Sequence, residues 1–364
     1  MSTNYPDYNA RKANAASDFG CPLDGTSDAR PAIQTGIDAL ASRGGGVLQL
    51  PPVALALGDT LYARNGVVLE GTGGTPPALD TGLAGSVLYP LGTSLNTAIT
   101  QADLTNPLHS FEMRHVGIDG QYRNGKTVNY GLLISGINCR FDSCYIRSIS
   151  GTGIYNKTNT VASWINWFTN NMIEACNRGI QYEGTDSYFT SNYITASRDI
   201  GMFFDSTGNN VVSGGMIDNG GFNSSGQTAN TNAIAMKIQN MAELSKGSSY
   251  AQISMTITGT RFIANPWDIM VMNSGPVMST AISITGCLFH DGRGGNPITI
   301  FDNNNGGIIA NNIFHSEHAN GSACITFEGN SNCAGWLLGP NAFSDVSIIH
   351  MANVPDDSQV IGTN

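Results

Sequence analysis

Charge is scarce in this chain: only 12% of its 364 residues are Asp, Glu, Lys or Arg, and acids outnumber bases 27 to 17. No Lys/Arg-rich run interrupts the formal charge of −10, which argues against a nucleic-acid partner. No apolar stretch approaches the ~20 residues a membrane span needs, so no membrane partner is expected. The first residues, Met1 to Asn9, lack the apolar core of a signal peptide. The chain is therefore expected either to be made without Sec export or to be in mature, secreted form.

Several chemical signatures are missing as well. The seven cysteines contain no Cys-x-x-Cys pair, and they read as free structural thiols rather than a disulfide or metal set. No Gly-x-Ser-x-Gly elbow is present, which disfavours a serine hydrolase. His315-Ser316-Glu317-His318 does not have the His-Glu-x-x-His spacing of a zinc helix, so no metal and no cofactor are expected. The glycine-rich run His290–Gly295 has no helix to follow it and is not a phosphate loop.

What is abundant is glycine, 44 residues, set in a repeat. Ser143-Cys144-Tyr145-Ile146 recurs as Asn170-Asn171-Met172-Ile173, Ser191-Asn192-Tyr193-Ile194 and Gly214-Gly215-Met216-Ile217. It continues as Gly259-Thr260-Arg261-Phe262, Gly286-Cys287-Leu288-Phe289, Asn311-Asn312-Ile313-Phe314 and Pro340-Asn341-Ala342-Phe343. The closing apolar residues are 27, 21, 23, 45, 27, 25 and 29 positions apart. A period in the twenties is too short for helix-pair repeats and suits a coil of short strands. One such unit cannot bury its own apolar face, so copies must stack. The gap of 45 is about two repeats' worth and holds insertions. The hydrophobic content of 41% is ample for the core of such a solenoid.

Ahead of the repeat, residues 1–17 read as a polar lead-in. Ile33, Ile37 and Leu40 recur at helical spacing, with Ser27 or Asp28 as cap, Pro31 in the first turn and Gly44-Gly45-Gly46 as stop. These signals predict a helix over about 28–42. Residues 75–110 fit the repeat poorly, as loops or a side extension. Residues 344–364 read as a C-terminal cap or a subunit-contact tail.

The run Asp18-Phe19-Gly20…Asp24-Gly25-Thr26…Asp28…Ala32-Ile33-Gln34, with Gly44-Gly45-Gly46-Val47…Leu50-Pro51-Pro52 and Val67–Gly73, resembles the N-terminal signature of the pectate-lyase-like superfamily. That group includes pectinases and phage tailspike depolymerases, and the chain looks most like the tailspikes. The resemblance implies an all-β fold over residues 18–343. It is a single-stranded right-handed parallel β-helix with an N-terminal capping helix. It also implies a polysaccharide substrate, with bacterial capsule or O-antigen cleaved in a groove along the coil, a homotrimer and a place in a phage virion tail. A lyase or epimerase on a uronic-acid polymer and a non-catalytic glycan-binding spike are the alternatives.

A second strand follows the loop after each repeat, and reads Gly153–Lys157, Gly179–Glu183, Gly201–Asp205, Ala233–Lys237 and Cys324–Glu328. Alternation puts Ile154, Ile180, Met202 and Ile234 inside, and Tyr155, Gln181 and Phe203 outside. The outer end of that column is Ser135, Lys157, Glu183, Asp205 and Lys237. Exposed aromatics beside ionisable groups suit a sugar groove, with Glu183 and Asp205 about 5 Å apart on adjacent rungs as a catalytic pair. The long stretches 218–232 and 241–252 would wall it. A rival column, Asp119, Arg147, Glu174, Thr195, Asp218, Ile263, His290 and His315, offers Glu174 and Asp218 about 9–10 Å apart, near the upper end for an inverting pair. Arg178, Arg198 and Asp199 lie between the columns and would serve either site.

Overall fold

The computed structural model describes residues 11–73, 85–158, 163–205, 208–221, 230–239, 252–272, 278–290, 295–301, 304–315, 323–328, 333–344 and 351–361. The chain forms two compact units, Met1–Ile173 and Glu174–Asn364.

Each unit is built from strands that pair in parallel with the equivalent strand of the next coil. In the first unit, one sheet contains Lys12–Asn14, Gly46–Gln49, Val67–Glu70, Glu112–Arg114, Arg140–Asp142 and Trp167–Thr169. A second contains Ala54–Leu57, Val87–Pro90, Gly117–Asp119 and Tyr145–Arg147; a third contains Leu61–Ala63, Ser94–Gln101, Thr127–Ile134 and Thr152–Asn156. In the second unit the first sheet runs from Tyr188–Thr190 to Gln359–Val360 and the second from Tyr193–Thr195 to Ala342–Ser344. The third sheet of that unit runs from Arg178–Tyr182 to Met351–Ala352.

The repeat is the corner between the first and second sheets. Its first residue turns the chain with a left-handed backbone: φ is 54° at Asn170, 53° at Ser191 and 64° at Gly214. Asn and Gly adopt that region at low cost. The second residue points inward and bonds backbone that the corner leaves unpaired. Asn171 Oδ1 accepts from Cys144 N at 3.0 Å, while its Nδ2 donates to the Phe141 carbonyl at 2.9 Å. Asn312 does the same for Cys287 N, at 2.9 Å, and the Ile284 carbonyl, at 3.0 Å. The closing apolar residue is core. Phe262, Phe289, Phe314 and Phe343 stack nearly parallel at 5.1, 4.8 and 5.1 Å, about the spacing of strands in a sheet.

The structure departs from the sequence reading at five places. Residues 12–14 form a strand on Gly46–Gln49, and Ala15–Phe19 a short helix, because the Asn14 side chain caps Ala16 N and Ser17 N. The longer helix is Arg30–Ser42 with Ala29 at its cap position; Asp28 still accepts from Arg30 N at 3.0 Å, whereas Ser27 turns to Asp24. Its Ile33, Ile37 and Leu40 are buried, and Gln34 bonds both the amide and the carbonyl of Tyr62 on the third sheet. Residues 87–90 and 94–101 are regular coil strands. The gap of 45 spans a single rung, since Ile217 pairs with Phe262 directly. Finally, Met351–Ala352 and Gln359–Val360 still pair with their sheets.

Candidate active site

The outer face of the third sheet of the second unit gathers most of the expected binding residues. Three successive strands supply them: Arg178–Tyr182, Ile200–Asp205 and Ile234–Gln239. Ile180, Met202 and Met236 are in register and buried, which turns Gln181, Phe203 and Lys237 to the other face. Arg178 opens its strand and reaches along this face. Its Nε meets Asp199 Oδ2 at 3.2 Å and its Nη1 donates to Gln181 Oε1 at 2.9 Å. The Arg178 guanidinium and the Lys237 ammonium each lie 5.4 Å from the centre of the Phe203 ring. Burial, then the neighbouring Arg178 charge, lowers the Lys237 pKa, against the opposing pull of Asp199 and Asp205.

Two expectations for this face need correction. Phe203 is 7% exposed, because Arg178 and Lys237 flank it, so its ring is not a free platform for a sugar. Lys237 is a rung below Phe203, not below Asp205; the residue paired with Asp205 is Gln239, whose Nε2 donates to Asp205 Oδ2 at 3.2 Å. The strand begins two residues earlier relative to its neighbour than the glycine alignment implied. Ile234 takes the place of Ile200 and is half-buried, and Met236 is the inward residue. The inward pattern Met236-x-Ile238, matching Met202-x-Phe204, was the available signal for this register.

Glu183 directly follows its strand, next in register after Tyr182 and Phe204, and so stands beside Asp205 on the adjacent rung. By strand spacing their backbones lie roughly 5 Å apart. Arg198 lies in the loop before this sheet; its amide donates to Cys176 O and its carbonyl accepts from Asn230. Tyr155 and Lys157 belong to the first unit. Tyr155 pairs with Leu133 and packs on Tyr130 at 5.8 Å, and the Lys157 amide donates to the Ile134 carbonyl. The expected walls fall largely on residues 222–229 and 240–251, outside the described residues.

The rival column is in register in the second unit: Thr195, Asp218, Ile263, His290, His315 and Ser344 pair in turn. Sequence reasoning missed Tyr193, whose hydroxyl donates to Asp218 Oδ2 at 3.0 Å. Burial, then the charge of Asp218, with a smaller part from Glu174, raises the Tyr193 pKa. Asp218 is 8% exposed, and its Oδ1 has no partner among the described residues. Tyr193 read only as part of the Ser191–Ile194 turn, so nothing in the spacing marked the phenol. In the first unit the same column pairs Asp119 with Arg147, bonded at 2.8 Å. Among the described residues no three His, Cys, Asp or Glu side chains gather as a metal site. His318 lies outside those residues. Among the described residues no helix is long and apolar enough to cross a membrane.

No protein-family model matches the chain, and no curated protein matches it. Solved structures do. The A-module of the mannuronan C-5 epimerase AlgE4 of Azotobacter vinelandii is 17% identical, with a TM-score of 0.62 over 97% of this chain and 100% of that one. A tailspike protein of E. coli bacteriophage HK620, in complex with pentasaccharide, is 14% identical, with a TM-score of 0.66 over 96% of this chain and 67% of that one. Tailspike gp49 of Acinetobacter baumannii bacteriophage Fri1, a capsular polysaccharide depolymerase, is 12% identical, with a TM-score of 0.62 over 95% of this chain and 62% of that one. At these identities the likeness shows the fold of the chain, and that fold is a right-handed parallel β-helix.

Proposed function

We propose that the chain is a polysaccharide depolymerase that cleaves a bacterial capsule or O-antigen glycan along the outer face of the third sheet of its second unit. The observation that carries this reading is the adjacent-rung pair Glu183 and Asp205 beside the cluster of Arg178, Gln181, Asp199, Phe203 and Lys237. A carboxyl separation near 5 Å suits a retaining glycosidase. Asp205, oriented by Gln239, takes the nucleophile's part; Glu183 protonates the leaving oxygen and then activates water. The glycan lies across Lys237 and Gln181, with Arg198 as a further contact. The tailspike likeness supports a homotrimer carried on a phage tail.

The test is a reducing-end and ultraviolet assay on a panel of bacterial capsules, O-antigens, pectates and alginates, with wild type, Glu183→Gln and Asp205→Asn. Reducing ends without ultraviolet absorbance, lowered roughly a thousandfold in both variants, are expected. Unchanged turnover in both variants sinks this assignment. Sedimentation at equilibrium should give three times the chain mass.

A second reading rests on the Tyr193–Asp218 hydrogen bond beside Glu174. A phenol held by a carboxylate suits proton transfer at a sugar carbon, as a lyase or epimerase requires. New ultraviolet absorbance, or solvent deuterium entering the polymer, abolished by Tyr193→Phe, would select it. Binding without either product would leave a glycan-binding spike.

A further inference from the structure

His290 and His315 stand level on successive strands, Leu288–His290 and Ile313–His315, on the outer face of the second sheet. Their ring centres are 4.6 Å apart and the ring planes are inclined by 27°. Packing beneath them holds this register: Phe289 and Phe314, one residue earlier on each strand, stack in the core at 4.8 Å and 7°. Both histidines are half-buried, so solvent reaches the pair. His315 Nδ1 is hydrogen-bonded to Ser344 Oγ at 2.7 Å, on the next strand of the column. With the proton on Nδ1, that bond fixes the ring and leaves the Nε2 lone pair for a ligand, as the outer partner of a metal-binding histidine does. The two residues are 25 positions apart (315 minus 290), so no local motif announces them.

We infer that His290 and His315 form a two-imidazole site for a first-row divalent cation, of the class of Cu²⁺, Ni²⁺ and Zn²⁺, which clips two successive coils together. An imidazole nitrogen sits about 2.0–2.1 Å from such an ion, which puts the ring centre about 3.2 Å away; two rings meeting the ion at a right angle then stand about 4.5 Å apart. The separation of 4.6 Å already matches, and turning a histidine ring about its last side-chain bond costs little. Among the described residues no third His, Cys, Asp or Glu joins them, so water fills the remaining positions. Nitrogen donors without a carboxylate favour the later first-row ions, Cu²⁺ most, over Ca²⁺ and Mg²⁺. Ile263, next to His290 in the same column, and Leu288 and Ile313 on the same face are apolar and offer the ion no rival ligand.

The test titrates the full-length chain, stripped with chelator, with Cu²⁺ and reads the paramagnetic resonance spectrum of the tightest-bound ion. Coupling to two imidazole nitrogens is expected in wild type, with no displacement by excess Ca²⁺. Ser344→Ala, which removes only the hydrogen bond to His315, should weaken Cu²⁺ roughly tenfold with both nitrogens retained. His290→Gln and His315→Gln should each weaken it further and leave coupling to a single nitrogen. Ni²⁺ should raise the unfolding temperature of wild type but not of His290→Gln, as a ligand held only by the folded coil does. His318→Gln is the control, because His315 and His318 also offer two imidazoles along the chain. Loss of the ion in His318→Gln rather than His290→Gln overturns the inference. A single-nitrogen spectrum in wild type, or unchanged affinity in His290→Gln, overturns it as well and leaves an adventitious ion only. Glycan cleavage enters none of these readouts.

Discussion

Asp268 is 2% exposed, and among the described residues its one hydrogen bond comes from Asn265 Nδ2 at 2.9 Å. Burial pushes its pKa up to about 7. An unfolded Asp titrates near 3.9, so between about pH 4 and 7 the folded chain holds a proton that the unfolded chain has released. Stability therefore falls as pH rises through that window and levels off above it. The full effect is on the order of 4 kcal/mol. Melting temperature should drop from pH 5 to pH 8 in wild type and change much less in Asp268→Asn; parallel curves would exclude Asp268 as the cause. Asn312 makes a simpler prediction. Its side chain satisfies a buried amide and a buried carbonyl, so Asn312→Ala should cost about 2–4 kcal/mol in denaturant unfolding. A loss below about 0.5 kcal/mol would mean that water replaces the amide.

At the scale of elements, two glycines set how closely the strands of the third sheet approach. A side-chain carbon on Gly201 would stand 2.5 Å from the Ala235 carbonyl oxygen and 2.8 Å from Ile217 Cγ2. On Gly179 it would stand 2.5 Å from the Gly201 carbonyl oxygen and 2.7 Å from Ile194 Cγ2. The backbone oxygen cannot move without opening the ladder that carries Gln181, Phe203 and Lys237. Gly201→Ala is therefore expected to destabilise by about 1–3 kcal/mol and to weaken glycan retention together with Gly179→Ala. A variant that keeps both stability and retention would show that this corner is looser than its contacts imply. The two-residue offset at Ile234–Gln239 belongs to this scale too. Pairing each strand with its neighbour decides which side chain meets Asp205, and a glycine count along one strand does not reveal it.

At the scale of the whole molecule, the coil hides its thiols. All seven cysteines are free and buried, and burial raises Cys139 and Cys144 to about 12 and Cys287 to about 11. A thiol is attacked as its thiolate, so a disulfide reagent should leave these three unlabelled in native protein and label them after unfolding. Because they sit in both units, labelling during partial denaturation reports whether the units open together. Fast native labelling of any of the three would contradict the described packing.

The order of the corner residues was readable from the chain, because each corner needs a left-handed turn residue, a small or amide-bearing inward residue and an apolar closer, all within four positions. Local spacing also put Gln181 and Phe203 on one outer face, with Arg178 and Asp199 between the two columns. The partnership of Lys237 with Phe203, of Gln239 with Asp205 and of Tyr193 with Asp218 was decided only in three dimensions. Those contacts join residues 34, 34 and 25 positions apart, across stretches whose length varies from rung to rung. Hydrogen-bonded register, not sequence spacing, chooses which side chains come level. The same register covered the Phe203 ring with two cations, where alternation alone had left it facing water.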